Sequence, residues 1–267
     1  MKVQSKVVVV TGAGSGMGRE LTLELVKRGA QVAAIDMRAE TLAETKSLAD
    51  ALGGRVETFV VDITDAARVA DLPREIGERM GAHIDALINN AGIIQPFVKV
   101  NDLSLEAAAR VMNVNFTGPL LLVKAFLPGL LNQPEAHILN VSSMGAYAPV
   151  PGQSVYGASK AAVKLFTEGL RSELLGTNVG VTVVFPGAIA TNIAANSGMD
   201  MPADAAENSK MKTTLAPVAA KAMVDAIEHN VPRICIGSDA KLMDRLSRLN
   251  PVFAANLIYK QMASLLK

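Results

Sequence analysis

Three side chains that together could move a proton lie near the middle of the chain. Ser143 is followed after twelve residues by Tyr156, and after three more by Lys160. A helical pattern begins at Ser154, so Tyr156 and Lys160 are expected on one helix face. An ammonium group one turn away favours a phenolate and lowers the tyrosine pKa from its usual value of about 10. The spacing therefore predicts a tyrosine acid/base, with Ser143 donating to a carbonyl or carbinol oxygen. The alternative is an exposed tyrosine and lysine that are neighbours by chance.

A glycine-rich loop near the N-terminus has the features of a phosphate site. A β-branched strand over residues 6–10 runs into the loop, and helical spacing follows over 19–28. At such a junction backbone N–H groups and the helix dipole face an anion. The glycines permit a tight turn, close approach of a pyrophosphate and helix–strand packing. We therefore predict a dinucleotide bound by Gly12, Ser15, Gly16, Met17 and Gly18.

An acidic residue after the second predicted strand indicates which dinucleotide binds. The strand covers residues 31–35, and Asp36 follows it, eighteen residues after Gly18. A carboxylate there accepts hydrogen bonds from the adenosine ribose of NAD. It repels the 2′-phosphate of NADP, by roughly 3 kcal/mol for unit charges at about 5 Å and an effective dielectric of about 20. NAD is therefore predicted over NADP, although Arg38 could turn toward a phosphate. The alternative role for Asp36 is to cap the helix that begins at Ala39.

The order of hydrophobic segments predicts the fold class. Strands alternate with helices at intervals of about 25 to 30 residues, the period of a doubly wound parallel sheet. The remaining strands are predicted at residues 55–61, 85–88, 137–141 and 179–185, and at Arg233–Ile236. The sequence therefore predicts an α/β protein in which residues 1–267 form a single domain.

Amide side chains occur at two further places that suit a ligand or a buried polar contact. The fourth strand runs into Asn90, Ala91 and Gly92, small and amide residues that allow backbone to lie against a ligand. Asn115 interrupts an otherwise apolar helical run, and a buried amide needs hydrogen-bond partners. Asn115 could be a site residue, or it could satisfy only local backbone.

Taken in order, these motifs resemble the short-chain dehydrogenase/reductase family over residues 6–236. The motifs are jointly specific: Thr11-Gly12-xxx-Gly16-x-Gly18, Asn89-Asn90-Ala91-Gly92, Asn115, Ser143, Tyr156-xxx-Lys160 and Pro186-Gly187. No motif residue departs from the family pattern. The resemblance implies a Rossmann-type, seven-stranded parallel sheet in the order 3-2-1-4-5-6-7, with flanking helices.

The resemblance also implies roles for individual residues. Asn115, Ser143, Tyr156 and Lys160 would form a catalytic tetrad beside a nicotinamide. In the family the tyrosine donates or accepts the proton, and the lysine binds the nicotinamide ribose and lowers the tyrosine pKa. The serine orients the substrate oxygen, and the asparagine backbone helps to hold a water that leads protons away from the lysine. Asp62 and Ile63 would flank the adenine. The other implied cofactor contacts are Asn90, Ala91, Gly92, Pro186, Gly187, Ile189 and Thr191.

Composition argues against several other classes of protein. The 267 residues include 26 Lys and Arg against 25 Asp and Glu, a balance that gives no reason to expect nucleic acid. The one cysteine, Cys235, excludes an internal disulfide and fits a reducing compartment. No apolar run approaches about 18 residues and the N-terminus lacks a signal peptide, so a cytoplasmic protein without a transmembrane helix is expected. The three histidines lack ligand spacing, and no metal is predicted.

Two segments outside the motifs bear on substrate and assembly. Residues 188–214 have weak periodicity and are predicted to form a mobile active-site lid. Residues 239–267 carry apolar residues at helical spacing, predicted to be buried in a homo-oligomer, a tetramer or a dimer. Covering of the protein's own pocket mouth is the rival explanation, and membrane-surface binding a third. The predicted pocket lining is mostly apolar, favouring an alcohol or ketone with an apolar body: Ile94, Gln95, Met144, Ala146, Val150, Gln153, Ile189, Ile193, Met199 and Met201.

Other functions were weighed against an oxidoreductase. A dinucleotide-sensing binding protein on the same fold would be expected to lose the tyrosine or the lysine. A sugar-nucleotide epimerase or dehydratase generally has a larger C-terminal substrate domain and a differently spaced glycine loop. The sequence therefore favours hydride transfer between a secondary alcohol or ketone and NAD, with the sensing protein as the alternative.

Overall fold

A computed structural model of the protein describes residues 1–191, 193, 197 and 213–262. Within them seven parallel strands form one sheet in the order β3-β2-β1-β4-β5-β6-β9, and two short strands, β7 and β8, pair separately. The strands are β1 (Val7–Thr11), β2 (Gln31–Asp36), β3 (Val56–Val60), β4 (Ala86–Asn89), β5 (Ala136–Val141), β6 (Val179–Pro186), β7 (Ile189–Ala190), β8 (Thr214–Leu215) and β9 (Arg233–Ile236).

The central strands consist of continuous apolar runs because both faces of the sheet are covered. All five residues of β1 and all six of β5 are buried. Such two-sided burial is typical of a parallel sheet whose crossover helices lie on both faces. The predicted strand order is confirmed. Strand order reverses between β1 and β4, and the carboxyl ends of these strands form the crevice where ligands bind in open α/β sheets.

The helices form a layer on each face of the sheet. They are α1 (Gly16–Lys27), α2 (Ala39–Asp50), α3 (Ala66–Met80), α4 (Leu105–Met112), α5 (Gly118–Leu131), α6 (Ser154–Glu173), α7 (Ala216–Glu228), α8 (Ser238–Leu249) and α9 (Pro251–Met262). One layer packs α1, α2 and α7 against the sheet, and the other packs α3, α5 and α6. Each face therefore has its own hydrophobic core.

Helices α4 and α5 are joined by a π-helical turn, Asn113–Thr117, into one continuous helix. The extra residue of a π turn is common at functional sites. The joined helix, Leu105–Leu131, is long and apolar enough to cross a membrane by length and composition alone, although none was expected from the sequence. Its buried residues, such as Leu122 and Phe126, pack in the core between α3 and the sheet, as in a core helix.

The C-terminal tail folds back onto the chain as α8 and α9. Met243, Ala254 and Ile258 pack against Met144 and Ala148, which follow Ser143 in the chain. Most of the described part of the predicted apolar stripe is thus covered within the chain, and the predicted oligomer remains a prediction. Leu242 and Leu249 remain exposed.

The predicted lid lies largely outside the described residues, and so does Leu265 of the apolar stripe. Strands β7 and β8 pair in parallel at the two ends of the lid segment. Its mobility remains a prediction, as does the single-domain organisation of residues 1–267.

Candidate active site

The glycine loop forms a cradle between β1 and α1. Gly12 and Gly16 have φ angles of +67° and +52°, in the left-handed region that favours glycine. A Cβ on Gly18 would overlap the carbonyl oxygen of Gly12. Gly18 therefore permits the turn and the packing, while the N-terminus of α1 opens toward the crevice.

A cleft of about 320 Å³ begins at this loop and follows the carboxyl ends of the strands. Eleven of the predicted cofactor residues line it: Gly12, Ser15, Gly16, Met17, Asp36, Asp62, Ile63, Asn90, Ala91, Gly92 and Thr191. It is also lined by residues that were not predicted, among them Met37, Arg38, Ile93 and Val114. The other predicted cofactor residues do not line this cleft: Gly18, Tyr156, Lys160, Pro186, Gly187 and Ile189.

The Asp36 carboxylate lies on the wall of the cleft. Its Oδ2 accepts a hydrogen bond from the Gly14 N–H at 3.0 Å, and its Oδ1 accepts from the Arg38 N–H at 3.2 Å. The Arg38 guanidinium reaches across the same place, with Nε 4.0 Å from Asp36 Oδ1 and Nη2 3.5 Å from Ser15 Oγ. A carboxylate and a guanidinium therefore both face the part of the cleft where a ribose would bind.

Thr11 anchors the loop after β4, a role that the sequence analysis missed. Its Oγ1 accepts hydrogen bonds from the N–H groups of Asn90 and Ala91, both at 3.0 Å. The Asn90 Nδ2 donates to the Thr11 carbonyl oxygen at 2.9 Å. Asn90 Oδ1 is buried and has no partner among the described residues. A buried acceptor usually has a hydrogen-bond partner, so the unpaired Asn90 Oδ1 fits a cleft that binds a polar ligand. The neighbouring Gly12 and Gly18, which leave no room for a Cβ, keep the backbone close to such a ligand.

Ser143 and Tyr156 converge where the sequence predicted. Ser143 lies two residues beyond the end of β5, just before a short 3-10 turn, and Tyr156 lies in the first turn of α6. A Cβ on Gly145 would lie 3.3 Å from the Tyr156 ring and 3.4 Å from Ser143 Oγ, so this glycine leaves room for both. The Ser143 hydroxyl lies close enough to the Tyr156 phenol to favour its ionised form. Their oxygens can therefore address one substrate oxygen.

Lys160 is buried one helical turn after Tyr156. Its Nζ donates to the Val141 carbonyl oxygen at 3.1 Å, and Nζ would lie 3.1 Å from a Cβ on Gly92. The side chain therefore approaches the cleft at Gly92. Burial lowers the pKa of Lys160 to about 8, because desolvation disfavours the ammonium.

The tyrosine pKa shifts in the direction opposite to the sequence-based prediction. Burial raises the pKa of Tyr156, and the nearby Ser143 hydroxyl only partly opposes that effect. The Lys160 ammonium group donates its hydrogen bond to the Val141 carbonyl oxygen rather than to the phenol. The prediction of a lowered tyrosine pKa is therefore wrong for the protein alone.

Asn115 is fully buried and bridges three elements. From the π turn its Oδ1 accepts from the Ile93 N–H, and its Nδ2 donates to the Ile93 carbonyl oxygen, both at 2.9 Å. Nδ2 also lies 3.0 Å from Ser159 Oγ on α6. The interpretation that Asn115 satisfies only local backbone is wrong, since Ile93 is 22 residues away. It ties the cleft-lining loop to the tyrosine helix.

Asp239 is a second site-supporting residue that the sequence analysis missed. Its Oδ2 accepts from the Ala188 N–H at 2.7 Å, and a Cβ on Gly187 would overlap its carboxylate. The carboxylate at the start of α8 therefore holds the backbone of the turn at Pro186-Gly187 in place. An aspartate in the first turn of a helix gave no local signal that it caps a distant loop.

The substrate side differs from the predicted lining. Gln95 is fully buried and bonded to the start of α6. Met144 packs against the tail helices, Ile193 lines the cofactor cleft, and Met199 and Met201 lie outside the described residues. Among the described residues there is no cluster of three or more His, Cys, Asp or Glu side chains that could hold a metal ion.

Known proteins similar to this chain share one family. The profile of the short chain dehydrogenases matches residues 6–202. SadH of Mycobacterium tuberculosis, to which an oxidoreductase function is attributed, is 36% identical over 253 residues, 92% of this chain and 91% of SadH. The mouse dehydrogenase/reductase SDR family member 7B is 36% identical over 199 residues, and the match spans 61% of its length.

Solved structures agree with the fold. A short-chain dehydrogenase/reductase from Burkholderia phymatum, in complex with NAD, superposes with a TM-score of 0.84 at 27% identity, covering 94% of this chain and 98% of that one. A short chain dehydrogenase from Burkholderia cenocepacia, in complex with NADP, gives a TM-score of 0.81 at 29% identity, covering 97% and 99%. With the profile match and the crevice geometry, these likenesses establish that the chain belongs to the short chain dehydrogenase family of oxidoreductases.

Proposed function

We propose that the protein transfers a hydride between NAD and a secondary alcohol or ketone, with Tyr156 as acid/base. The observation that carries this proposal is the convergence of Ser143 and the Tyr156 ring at Gly145, with the buried Lys160 ammonium group beside Gly92 of the cleft. A nicotinamide cofactor, when bound, supplies the hydride acceptor or donor. The remaining task, moving one proton, falls to the protein.

Each residue of the tetrad has a part in that proton transfer. For alcohol oxidation Tyr156 accepts the hydroxyl proton, and for ketone reduction it returns one. Ser143 donates a hydrogen bond to the reacting oxygen. Burial raises the pKa of Tyr156, so the phenolate would need positive charge nearby, which the Lys160 ammonium group and a bound NAD⁺ would provide. Asn115 holds the loop that faces the cofactor against the helix of the tyrosine.

NAD is proposed over NADP because of Asp36. Its carboxylate is largely buried at the adenosine end, where a 2′-phosphate would be repelled. Arg38 weakens this argument, since its guanidinium lies at the same end of the cleft. Relatives of this fold are bound to NAD in one structure and to NADP in another.

Replacement of Asp36 tests the cofactor preference. We expect wild-type kcat/KM to favour NAD by a hundredfold or more, as roughly 3 kcal/mol of repulsion implies. Asp36→Ala is expected to reduce the ratio of kcat/KM for NAD to that for NADP, chiefly by raising kcat/KM for NADP. Arg38→Ala, the paired control, is expected to increase this ratio. Equal kcat/KM values for the two cofactors in the wild type would overturn the preference.

The substrate is proposed to have an apolar body. The pocket residues predicted from the sequence, Ile94 and Val150 among them, are mostly apolar and uncharged. The proposed partners are thus small alcohols or ketones. We also propose a cytoplasmic protein, on the grounds of its composition, and a homo-oligomer, on the grounds of the apolar residues in the C-terminal tail.

A screen of NAD⁺ reduction across secondary alcohols, steroids and polyols tests the proposed function. Tyr156→Phe is expected to lower turnover to below a few per cent, because the ring still packs but carries no proton. Its affinity for NAD, measured by calorimetry, is expected to stay within about threefold. Turnover retained in Tyr156→Phe would contradict the tyrosine mechanism. NAD binding without turnover of any substrate would favour the dinucleotide-sensing protein.

A further inference from the structure

Gln95 is fully buried beside the tyrosine helix, although the sequence analysis placed it in the lining of the substrate pocket. Its side-chain Oε1 accepts hydrogen bonds from the N–H groups of Val155 at 2.8 Å and Tyr156 at 2.9 Å. Its Nε2 donates to the Gly152 carbonyl oxygen at 2.8 Å. One amide from a loop some sixty residues away therefore holds the backbone of the proposed catalytic residue itself.

The start of α6 has no local cap that could replace these bonds. The first N–H groups of a helix lack intrahelical partners and are usually satisfied by an N-cap side chain. The residue in that place, Gln153, makes no such bond to the helix. Its Nε2 instead donates to the Gln95 carbonyl oxygen at 2.7 Å. The Gln153 side chain thus holds the backbone of Gln95, while the Gln95 side chain holds the first turn of α6.

Lys160 is held independently of this cap. Its carbonyl oxygen accepts from Ser142 Oγ at 2.7 Å, and its Nζ donates to Val141 at 3.1 Å. Loss of the cap would therefore displace the first turn, which carries Tyr156, more than the second turn, which carries Lys160. The proposed cofactor contacts of Asp36 and the glycine loop lie elsewhere.

We propose that Gln95 is a positioning residue that sets the place of the Tyr156 phenol against Ser143 by capping α6. The role rests on the proposed function, in which Tyr156 moves the proton. A misplaced proton donor lowers the rate of the chemical step far more than it weakens cofactor binding, because only the reacting geometry is lost.

The test compares Gln95→Met with Asn178→Leu. Methionine nearly matches the volume of glutamine but cannot cap the helix. Asn178 is the control because its Nδ2 also bonds two backbone carbonyl oxygens, those of Leu130 and Gln133, on the side of the molecule away from the site. Both variants should lose similar thermal stability. In protein labelled with ¹³C at tyrosine Cζ, NMR gives one resonance for each tyrosine ring. The resonance that disappears in Tyr156→Phe belongs to Tyr156.

We expect Gln95→Met to move the Cζ resonance of Tyr156, to lower kcat tenfold or more, and to leave the Kd for NAD within about threefold. Asn178→Leu should leave the resonance and kcat unchanged. A Tyr156 resonance in Gln95→Met that coincides with that of wild type would overturn the positioning role. A shifted resonance in a protein that turns over no alcohol would uphold the positioning role and refute the proposed function.

Should Gln95→Met fail to fold, Gln95→Glu provides the decision. Glutamate keeps an oxygen that accepts from the two N–H groups, but its second oxygen can donate to Gly152 only when the carboxyl group is protonated. We expect the Tyr156 resonance of Gln95→Glu to move toward that of wild type as the pH falls and the carboxyl group becomes protonated. A Tyr156 resonance that does not move toward wild type on acidification would count against the proposal.

Discussion

Lys160 shows, at the scale of a single residue, how a reactive group destabilises the protein that holds it. Its pKa of about 8 lies below the value of about 10.4 for an exposed lysine. The unfolded chain therefore binds the extra proton between these values, so the free energy of unfolding rises with pH across this window. Below pH 8 the whole cost is present, roughly 3 kcal/mol for a shift of this size.

Replacing this lysine should consequently stabilise the fold while it abolishes turnover. We expect Lys160→Met to raise the free energy of unfolding at pH 7 by about 1 to 3 kcal/mol, with the lost bond to Val141 offsetting part of the gain. The gain should shrink between pH 8 and pH 10. Urea denaturation at both ends of this range measures it, with Lys164→Met as the more exposed control. A Lys160→Met protein less stable than wild type at pH 7 would contradict the interpretation.

At the scale of the element, the loop after β4 depends on one hydroxyl group of β1. Thr11→Val keeps the shape of the side chain but leaves the N–H groups of Asn90 and Ala91 without their acceptor. Unpaired buried donors cost about 1 to 3 kcal/mol. Because this loop lines the cleft, we expect the Kd for NAD to rise about tenfold, measured by calorimetry.

Thr22→Val is the matched control for this prediction. Thr22 is also buried, but its hydroxyl only donates back to the Gly18 carbonyl oxygen of its own helix. Its replacement should leave NAD affinity within about twofold. Equal losses of affinity in the two variants would show that Thr11 has no special role in the loop.

At the scale of the whole molecule, the tail has two faces with different consequences. The inner face packs on Met144 and Ala148 and so forms part of the wall behind Ser143. The outer face exposes Leu249 by 83%, together with Phe253 by 54%. These residues flank the turn between α8 and α9, and they are the part of the tail that a second copy of the chain could still cover.

We therefore expect the double variant Leu249→Ser and Phe253→Ser to reduce the assembly size measured by light scattering. Its fold should survive, because neither side chain contributes to the buried cluster. Leu175→Ser, at an exposed leucine beyond the end of α6, serves as the control. An unchanged assembly in the double variant would place any oligomer contact elsewhere.

Local sequence patterns were sufficient to predict the fold, the glycine loop and the helix that carries Tyr156 and Lys160. Continuous apolar runs alternating with helical periodicity, together with the glycines at 12, 16 and 18, predicted the sheet and the phosphate cradle because these patterns reflect local physics. The spacing of Tyr156 and Lys160 predicted a shared helix for the same reason. The predicted boundaries of the β1 strand and the α1 helix differ from the observed ones by one to three residues, since helix and strand ends depend on caps and pairing.

Tertiary structure decided the properties that depend on distant neighbours. Gln95, assigned from the sequence to an apolar pocket, is a helix cap because Val155 and Tyr156 come to it from sixty residues away. Asp239 supports a loop that precedes it by 51 positions. The tyrosine pKa rises because burial outweighs the effect of a nearby hydroxyl group, and burial is a property of the packed molecule that no spacing encodes.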